Sequence, residues 1–256
     1  MENSDNINFI INAVNEYLKQ NPTDKHVGHI DNYPGVIMYY RDANTIAKYL
    51  KSESKILDWG CGYGQMSYLM TEKGYTVDAC DWNISPNIPQ LLDYRIKYTQ
   101  FTSPTKIDAA DNSYDAVISS GTLEHANNIM ESLKEIRRIL KPGGWFFMFR
   151  FPAEDSISEM VAKKSGGWSH SIRMSKDEVK YMLRLHSFRI QEIGYDSFLP
   201  IMLSSKLRGL RKLRAKYDAP IHKLDKLLTN TPFINRFSTS IYCLAQVNNE
   251  YDNTYL

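Results

Sequence analysis

The stretch that most constrains the fold runs from Lys55 to Met70 and reads KILDWGCGYGQMSYLM. It begins as a short apolar run that ends at Asp58, and it then passes through three alternating glycines, Gly60, Gly62 and Gly64. Apolar residues follow at helical spacing. This order predicts a buried strand, a tight turn and a helix.

The predicted turn has the features of a ligand site. Glycine accepts positive φ and lets another molecule approach the backbone, and in open α/β sheets ligands bind where strands end and helices begin. The dinucleotide fingerprint Gly-x-Gly-x-x-Gly is not met, because Gln65 or Ser67 occupies its third glycine position. A nicotinamide oxidoreductase is therefore a disfavoured alternative. The acid at Asp58 suits a cationic ligand, such as an ammonium or a sulfonium, better than a pyrophosphate.

Three motifs together resemble the class I S-adenosylmethionine-dependent methyltransferases. The segment Asp58 to Gly64 resembles their motif I, the segment Asp111 to His125 resembles their fourth-strand motif, and Leu140 to Gly144 resembles their Leu-Lys-Pro-Gly-Gly turn. The motifs cover about residues 36 to 151. The resemblance implies a doubly wound, Rossmann-like α/β fold with a seven-stranded, mostly parallel sheet and flanking helices. It also implies S-adenosylmethionine as the cofactor and methyl transfer as the activity.

The resemblance assigns the glycine turn to the cofactor, through Asp58, Gly60, Cys61, Gly62 and Gly64. Asp81 ends the predicted second strand, where such folds hold a ribose, because a carboxylate accepts hydrogen bonds from both adjacent hydroxyls. The alternative is that Asp81 only caps the next helix. The neighbouring Trp82 is expected to lie along the adenine.

Further cofactor contacts follow from the resemblance alone. Tyr40 and Arg41 precede the first strand and would cross the methionyl end, where Arg41 would bind the carboxylate; a surface arginine is the alternative. Ser103 stands where the family often has an acid after the third strand, so adenine recognition is assigned to the backbone and to Asp108. Ser119 begins the loop beside the cofactor.

The candidate catalytic residues are histidines. Because the sulfonium is already activated, the protein mainly binds and aligns the reactants, but a hydroxyl acceptor must still lose a proton, commonly to a histidine. His125 ends the loop after the fourth strand, and His170 lies between the fifth strand and the next helix. His170 is the preferred candidate, with a structural role as the alternative for each. Glu124 and Arg173 are expected to contact the substrate.

The sequence predicts no metal site. The loops after the fourth and fifth strands contain no acid pair that could chelate a divalent ion, and the pair His26 and His29 lacks a helix and a third close ligand. An Asn-Pro-Pro-Tyr type signature for methylating nucleic-acid amines is also missing after the fourth strand. The expected acceptor is the oxygen of a small molecule or a surface-glycan sugar, as in polysaccharide biosynthesis. The alternatives are a quinone-like or lipid acceptor at the membrane face, and a catalytically silent partner protein that binds the cofactor.

The length of 256 residues suits one α/β domain with additions. We predict an N-terminal helical cap over residues 1–54, the methyltransferase domain over 55–200 and 237–248, a basic helical insertion over 201–236, and a disordered tail over 249–256. Within this frame a helix is expected over about 42–51, and a polar connection without a helix over 156–167.

The insertion combines an apolar stripe with a face crowded by lysine and arginine. Its stripe consists of Leu203, Leu207, Leu210 and Tyr217. We expect a lid for an anionic substrate or a docking face for anionic lipid or a membrane surface, with a solvated helix face as the alternative. Nucleic acid is an unlikely partner, since aromatic residues are not interleaved with the charges.

Three scattered cysteines and the lack of a long apolar run predict a cytoplasmic protein. The oligomeric state is left open.

Overall fold

The computed structural model describes residues 2–24, 26–82, 88–93, 95–103, 105–164, 166, 169–198 and 208–248. Within them lies a seven-stranded sheet in the order β3-β2-β1-β4-β5-β7-β6. Strands β1 to β5 run parallel to one another, and β7 runs antiparallel to both β5 and β6. The predicted doubly wound, mostly parallel sheet is confirmed. The strands are β1 Lys55–Trp59, β2 Thr76–Asp81, β3 Lys97–Gln100, β4 Tyr114–Ser120, β5 Leu140–Pro152, β6 Phe188–Asp196 and β7 Ser240–Val247.

Helices cover both faces of the sheet. Because successive side chains of a strand point to opposite faces, Phe147 packs into a core that includes α1 to α3, and Phe146 into a core that includes α4 and α6. The helices are α1 Glu2–Gln20, α2 Tyr33–Ile46, α3 Gln65–Glu72, α4 Ile129–Ile139, α5 Ile157–Lys164, α6 Lys176–Leu185, α7 Arg208–Lys216 and α8 Asp218–Asn230. Short 3-10 turns span His26–His29, Leu123–His125 and Asn235–Phe237.

Helix α2 begins and ends earlier than the sequence predicts. The Asn32 side chain accepts a hydrogen bond from the Gly35 backbone N–H at 3.2 Å, and Pro34 lies in the first turn, where its missing N–H costs nothing. The helix therefore starts at Tyr33 and ends at Ile46, instead of spanning about 42–51. An N-cap followed by proline was the signal for this start.

Helix α5 replaces the polar connection that was expected over residues 156–167. The Ser156 hydroxyl accepts from the Glu159 backbone N–H at 3.3 Å and opens the helix. Glu159 is buried on the inner side, whereas Met160 and Val161 are exposed. Since this arrangement inverts the usual apolar-inside pattern, periodicity could not reveal the helix.

Helices α7 and α8 lie in the segment predicted as an insertion. Helix α7 packs against α2, and α8 packs against β6, so the segment sits beside the carboxyl edge of the sheet. Leu203 and Leu207 of the expected stripe, and the expected disordered tail, lie outside the described residues. Among the helices that the structure describes, none is long and apolar enough to cross a membrane.

Candidate active site

The glycine turn follows β1 at the carboxyl edge of the sheet. Gly60, Gly62 and Gly64 have φ values of +75°, +56° and +90°, in the left-handed region that favours glycine. The backbone N–H groups of Gly60 and Cys61 donate to the Cys80 carbonyl at 2.8 and 3.1 Å. This pairing ties the turn to the end of β2.

The three glycines are required for different reasons. A β-carbon on Gly60 would overlap the side chain of Thr122, and one on Gly64 would overlap Leu92, whereas one on Gly62 would have no atom within 4 Å. Gly62 therefore faces open space in which a ligand can approach the backbone closely.

Asp81 lies beside Gly62 at the end of β2. Its Oδ2 accepts from the Gly62 N–H at 2.8 Å, and its Oδ1 accepts from the Trp82 N–H at 2.6 Å. The Trp82 indole is half exposed, with its ring centroid 5.3 Å from that of Phe101. The structure brings these assigned residues together at the open side of the turn, as a nucleoside site requires, and their individual contacts with a cofactor stay predictions.

Two other assigned residues are buried beneath the turn. The Asp58 Oδ2 accepts from the Ser67 hydroxyl at 2.5 Å, and burial raises the pKa of Asp58 to about 7. Cys61 is a buried thiol whose pKa burial raises well above its usual value. Both side chains point into the protein interior, so a buried carboxyl group lies beneath the turn.

Unpaired polar atoms also mark the carboxyl edge. The hydroxyl of Ser119 and Oε1 of Gln65 are buried without a hydrogen-bond partner in the described structure. A buried polar atom without a partner costs about 1–3 kcal/mol, so these two atoms suit a polar ligand at this edge. Together with the open face of Gly62, they fit the cofactor that the sequence implies.

Three residues assigned to the cofactor make other contacts. Arg41 forms an ion pair with Asp218 of α8. The Tyr40 ring lies 5.3 Å from Nζ of Lys73, at the far end of α3. Asp108 lines a cavity of about 30 Å³ with residues from the middle of β2 and the start of β4. The assignments of Tyr40, Arg41 and Asp108 stay predictions.

Arg150 is a site residue that the sequence analysis missed. It lies near the end of β5 at a register shift, with φ of +60°. Its guanidinium donates to the Ser120 hydroxyl at 2.5 Å and to Asp42 Oδ2 at 2.6 Å, and it lies 3.9 Å from the Tyr39 ring centroid. Burial raises the pKa of Asp42 to about 6, against the opposing effect of the Arg150 charge. A single arginine within the apolar run FFMFRFP was the available signal.

Both candidate histidines meet Glu124 after β4. The Nε2 atoms of His125 and His170 each lie 3.8 Å from Glu124 Oε1, and their ring centroids are 5.5 Å apart. Burial, and then the charge of nearby Glu159, raise the pKa of Glu124 to about 8. Burial, and then His170, lower the pKa of His125. Three of the four residues assigned to the acceptor side thus form one cluster.

Glu159 of α5 orients His170, and the sequence did not point to it. Its Oε1 lies 2.8 Å from Nδ1 of His170, and its Oε2 accepts from the His170 backbone N–H at 2.8 Å. Since a carboxylate only accepts, Nδ1 carries the proton and the Nε2 lone pair faces Glu124. The half-buried Arg173, the fourth assigned residue, precedes Met174, whose backbone bonds to Pro152 at the end of β5.

Comparison with known proteins finds a match to part of the chain that carries this site. Residues 57–148 match the family model of a methyltransferase domain. Over this range the chain is therefore similar to a methyltransferase domain. S-adenosylmethionine is the cofactor that the sequence implied, and the matched range includes both the glycine turn and the Glu124 loop.

Named relatives cover parts of the chain. A ubiquinone biosynthesis O-methyltransferase of Rickettsia bellii is 31% identical over 156 residues, which are 56% of this chain and 64% of that protein. The mitochondrial ubiquinone biosynthesis O-methyltransferase of Rattus norvegicus is 31% identical over 106 residues, or 38% of this chain and 30% of that protein. The chain thus spans less than two thirds of the length of these relatives.

A solved structure shows the same fold. Phosphoethanolamine N-methyltransferase 2 of Haemonchus contortus, in complex with S-adenosyl-L-methionine, aligns with a TM-score of 0.55 at 19% identity. The alignment covers 85% of this chain and 57% of that one.

Proposed function

We propose that this protein is an S-adenosylmethionine-dependent methyltransferase that methylates an oxygen of a small acceptor molecule. The observation that carries the proposal is a direct contact between the glycine turn and the loop that holds the candidate acceptor residues. Thr122, in the loop that holds Glu124 and His125, donates from Oγ1 to the Gly60 carbonyl at 3.1 Å. A ligand on the glycine turn and an acceptor beside the histidines would therefore be neighbours.

The residues present suit binding of the cofactor. Gly62 offers close backbone approach, Asp81 offers a carboxylate to ribose hydroxyls, and Trp82 offers a ring face to adenine. When bound, S-adenosylmethionine supplies a methyl group that its sulfonium already activates. The work of the chain is then to align the acceptor and to exclude water.

On the acceptor side, His170 is the catalytic residue of this proposal. Glu159 holds its Nδ1 proton, so Nε2 is the atom that acts on the acceptor hydroxyl. Glu124 and His125 border the same space and position the acceptor. Arg173 is placed as a further acceptor contact.

A quinone-like acceptor is supported by the names of the relatives and by the surface of the α7 and α8 segment. Phenolic hydroxyls, with a pKa of about 10, lose their proton more readily than sugar hydroxyls. The segment exposes several large apolar side chains beside its basic residues, which suits a lipid acceptor presented at an anionic membrane. These side chains are Leu213, Tyr217, Leu224, Leu227 and Phe233.

A sugar acceptor is the second candidate, and a cavity favours it. The cavity, of about 320 Å³, lies between α2, α7 and α8 and has charged residues of both signs, among them Lys48, Arg214 and Asp196. Such groups pair well with sugar hydroxyls or an attached phosphate. Three buried free thiols support a cytoplasmic location, which is compatible with a quinone-like acceptor and with a sugar acceptor.

Calorimetry tests cofactor binding with a matched pair of variants. Gly62→Ala and Gly74→Ala both place a methyl group at positive φ in open space, so each should cost about 1–2 kcal/mol of stability. Only Gly62→Ala intrudes on the proposed cofactor space, and we expect it alone to weaken binding of S-adenosylhomocysteine, by at least tenfold. Equal affinities for the two variants, or binding of NAD and not of S-adenosylhomocysteine, would overturn the proposal.

Radiolabel transfer from S-adenosylmethionine tests the acceptor. The acceptor pools are alkylated dihydroxybenzoates, with and without anionic liposomes, and sugar nucleotides. Transfer to the first pool supports the quinone-like version, and transfer to the second supports the sugar version. Cofactor binding without transfer to any pool would instead support a silent partner protein.

A further inference from the structure

The cluster after β4 has the arrangement of a metal centre. One ligand atom from each of Glu124, His125 and His170 lies within 4.8 Å of the other two. We propose that these residues bind one divalent transition-metal ion, which holds and activates the acceptor oxygen. This proposal rests on the proposed function, because it concerns the same acceptor side.

The distances allow an ion with little rearrangement. Each histidine Nε2 lies 3.8 Å from Glu124 Oε1. Tetrahedral zinc, with bonds of about 2.0–2.1 Å, separates its ligands by about 3.3 Å, so small side-chain rotations complete the site. Two imidazoles and one carboxylate favour zinc and its transition-metal neighbours over magnesium or calcium.

Glu124 gives an independent reason to place a ligand here. Its side chain is 2% exposed, and its Oε2 has no hydrogen-bond partner in the described structure. A buried carboxylate oxygen without a partner is costly. Since Oε1 is the oxygen that faces the histidines, an ion bound through both carboxylate oxygens gives Oε2 its partner.

Glu159 orients one of the proposed metal ligands, His170, without binding the ion itself. A metal-binding histidine commonly donates its other ring N–H to a carboxylate, which fixes the tautomer and turns the second nitrogen toward the ion. His170 is held in this way, with Nδ1 2.8 Å from Glu159 Oε1.

The ion changes how the acceptor is activated. Three protein ligands leave at least one position open, where an acceptor oxygen binds and its proton is released to solvent water. That oxygen then forms a bond to the methyl carbon while the carbon–sulfur bond breaks, and the electron pair leaves with sulfur as a neutral thioether. Acceptors with two adjacent hydroxyls are favoured, because both oxygens can reach the ion. When the ion is bound, Nε2 of His170 acts on the acceptor oxygen through the metal, as its ligand, in place of direct proton transfer.

Titration of the full chain with Zn²⁺ by calorimetry, and with Co²⁺ by visible absorption, tests the site after chelator treatment and dialysis. We expect one ion per chain, binding at least tenfold weaker in Glu124→Gln and His170→Gln. Glu159→Gln should weaken binding about 10–100-fold while keeping the Co²⁺ spectrum of wild type, because the ligands are unchanged. The matched control His26→Gln alters an exposed histidine outside the cluster and should bind as wild type does.

Failure of wild type to bind one equivalent of either ion, or unchanged binding in His170→Gln, would overturn the metal site. The His170 side chain is 22% exposed, so that variant decides the matter even if Glu124→Gln fails to fold. A parallel titration with S-adenosylhomocysteine in the presence of EDTA separates the two proposals. Retained cofactor binding with methyl transfer unaffected by EDTA overturns the metal site alone, whereas lost cofactor binding in every condition overturns the proposed function.

Discussion

The proposed cofactor side and the proposed acceptor side of the site are assembled in different ways. The cofactor side consists of one continuous turn, Gly60 to Gly64, and the end of the next strand at Asp81. The acceptor side joins the loop at Glu124 with Glu159 of α5 and with His170. A short turn is specified by local backbone requirements, whereas the acceptor side depends on how distant segments pack. We therefore expect cofactor-side changes to act mainly on binding, and acceptor-side changes to act on stability as well.

The largest expected effect is at the buried ion pair between Arg150 and Asp42. Arg150→Met leaves the Asp42 carboxylate buried without its cation and should destabilise the fold by about 3–5 kcal/mol, as measured by urea unfolding. The double variant with Asp42→Asn should recover part of that loss. In the exposed pair with Glu131, Lys134→Met should cost less than about 1 kcal/mol. A loss as small for Arg150→Met would show that this buried pair stabilises the fold no more than an exposed pair does.

The next effect is on cofactor affinity. Asp81→Ala should weaken S-adenosylhomocysteine binding about 10–100-fold, because charge-assisted hydrogen bonds contribute about 1.5–3 kcal/mol. Asp108→Ala is the matched control, since Asp108 lies with residues from the start of β4. Isothermal titration calorimetry measures both variants. Equal losses would support the assignment of Asp108 to the cofactor site and extend that site beyond the turn.

A third effect concerns pH and Asp58. Its folded-state pKa of about 7 is above the unfolded value, so wild type should lose stability as the pH rises from about 4 to 7 and stay level above that. Asp58→Asn removes the charge, so its melting temperature should match that of wild type near pH 4 and exceed it at pH 8. If the melting temperatures of the two proteins change in parallel with pH, ionisation of Asp58 does not destabilise the fold, and its pKa is not raised.

The smallest effect is expected at Arg41. Its partly exposed ion pair with Asp218 should contribute less than about 1 kcal/mol to stability. Because Arg41 contacts α8, Arg41→Ala should leave S-adenosylhomocysteine affinity within twofold of wild type. A tenfold loss, measured in the same calorimetric series, would instead support the carboxylate role that the sequence suggested.

The same contrast explains what the sequence could reveal. The turn follows from the spacing of its glycines. The positions of the strands along the chain follow mainly from their apolar runs. His125 and His170 were found as separate candidates, but their meeting at Glu124 depends on α5, whose inward Glu159 and outward Val161 invert the usual helical pattern. Arg150 and Asp42 come together only through tertiary packing. The proposed metal site departs from the sequence-based expectation of no metal, which rested on a missing acid pair.

Tyr63, between the second and third glycines of the turn, ties that turn to the first helix. Its hydroxyl donates to Asp24 Oδ2 at 2.8 Å, and the hydroxyl of Tyr17 in α1 donates to the same oxygen at 2.9 Å. Movement of α1 away from the sheet would break this shared anchor at Tyr63, while the start of the turn would stay bonded to Cys80. Changes at positions 17 or 24 could then tune how fast spent cofactor leaves, and so the pace of turnover, without altering any group that takes part in the chemistry.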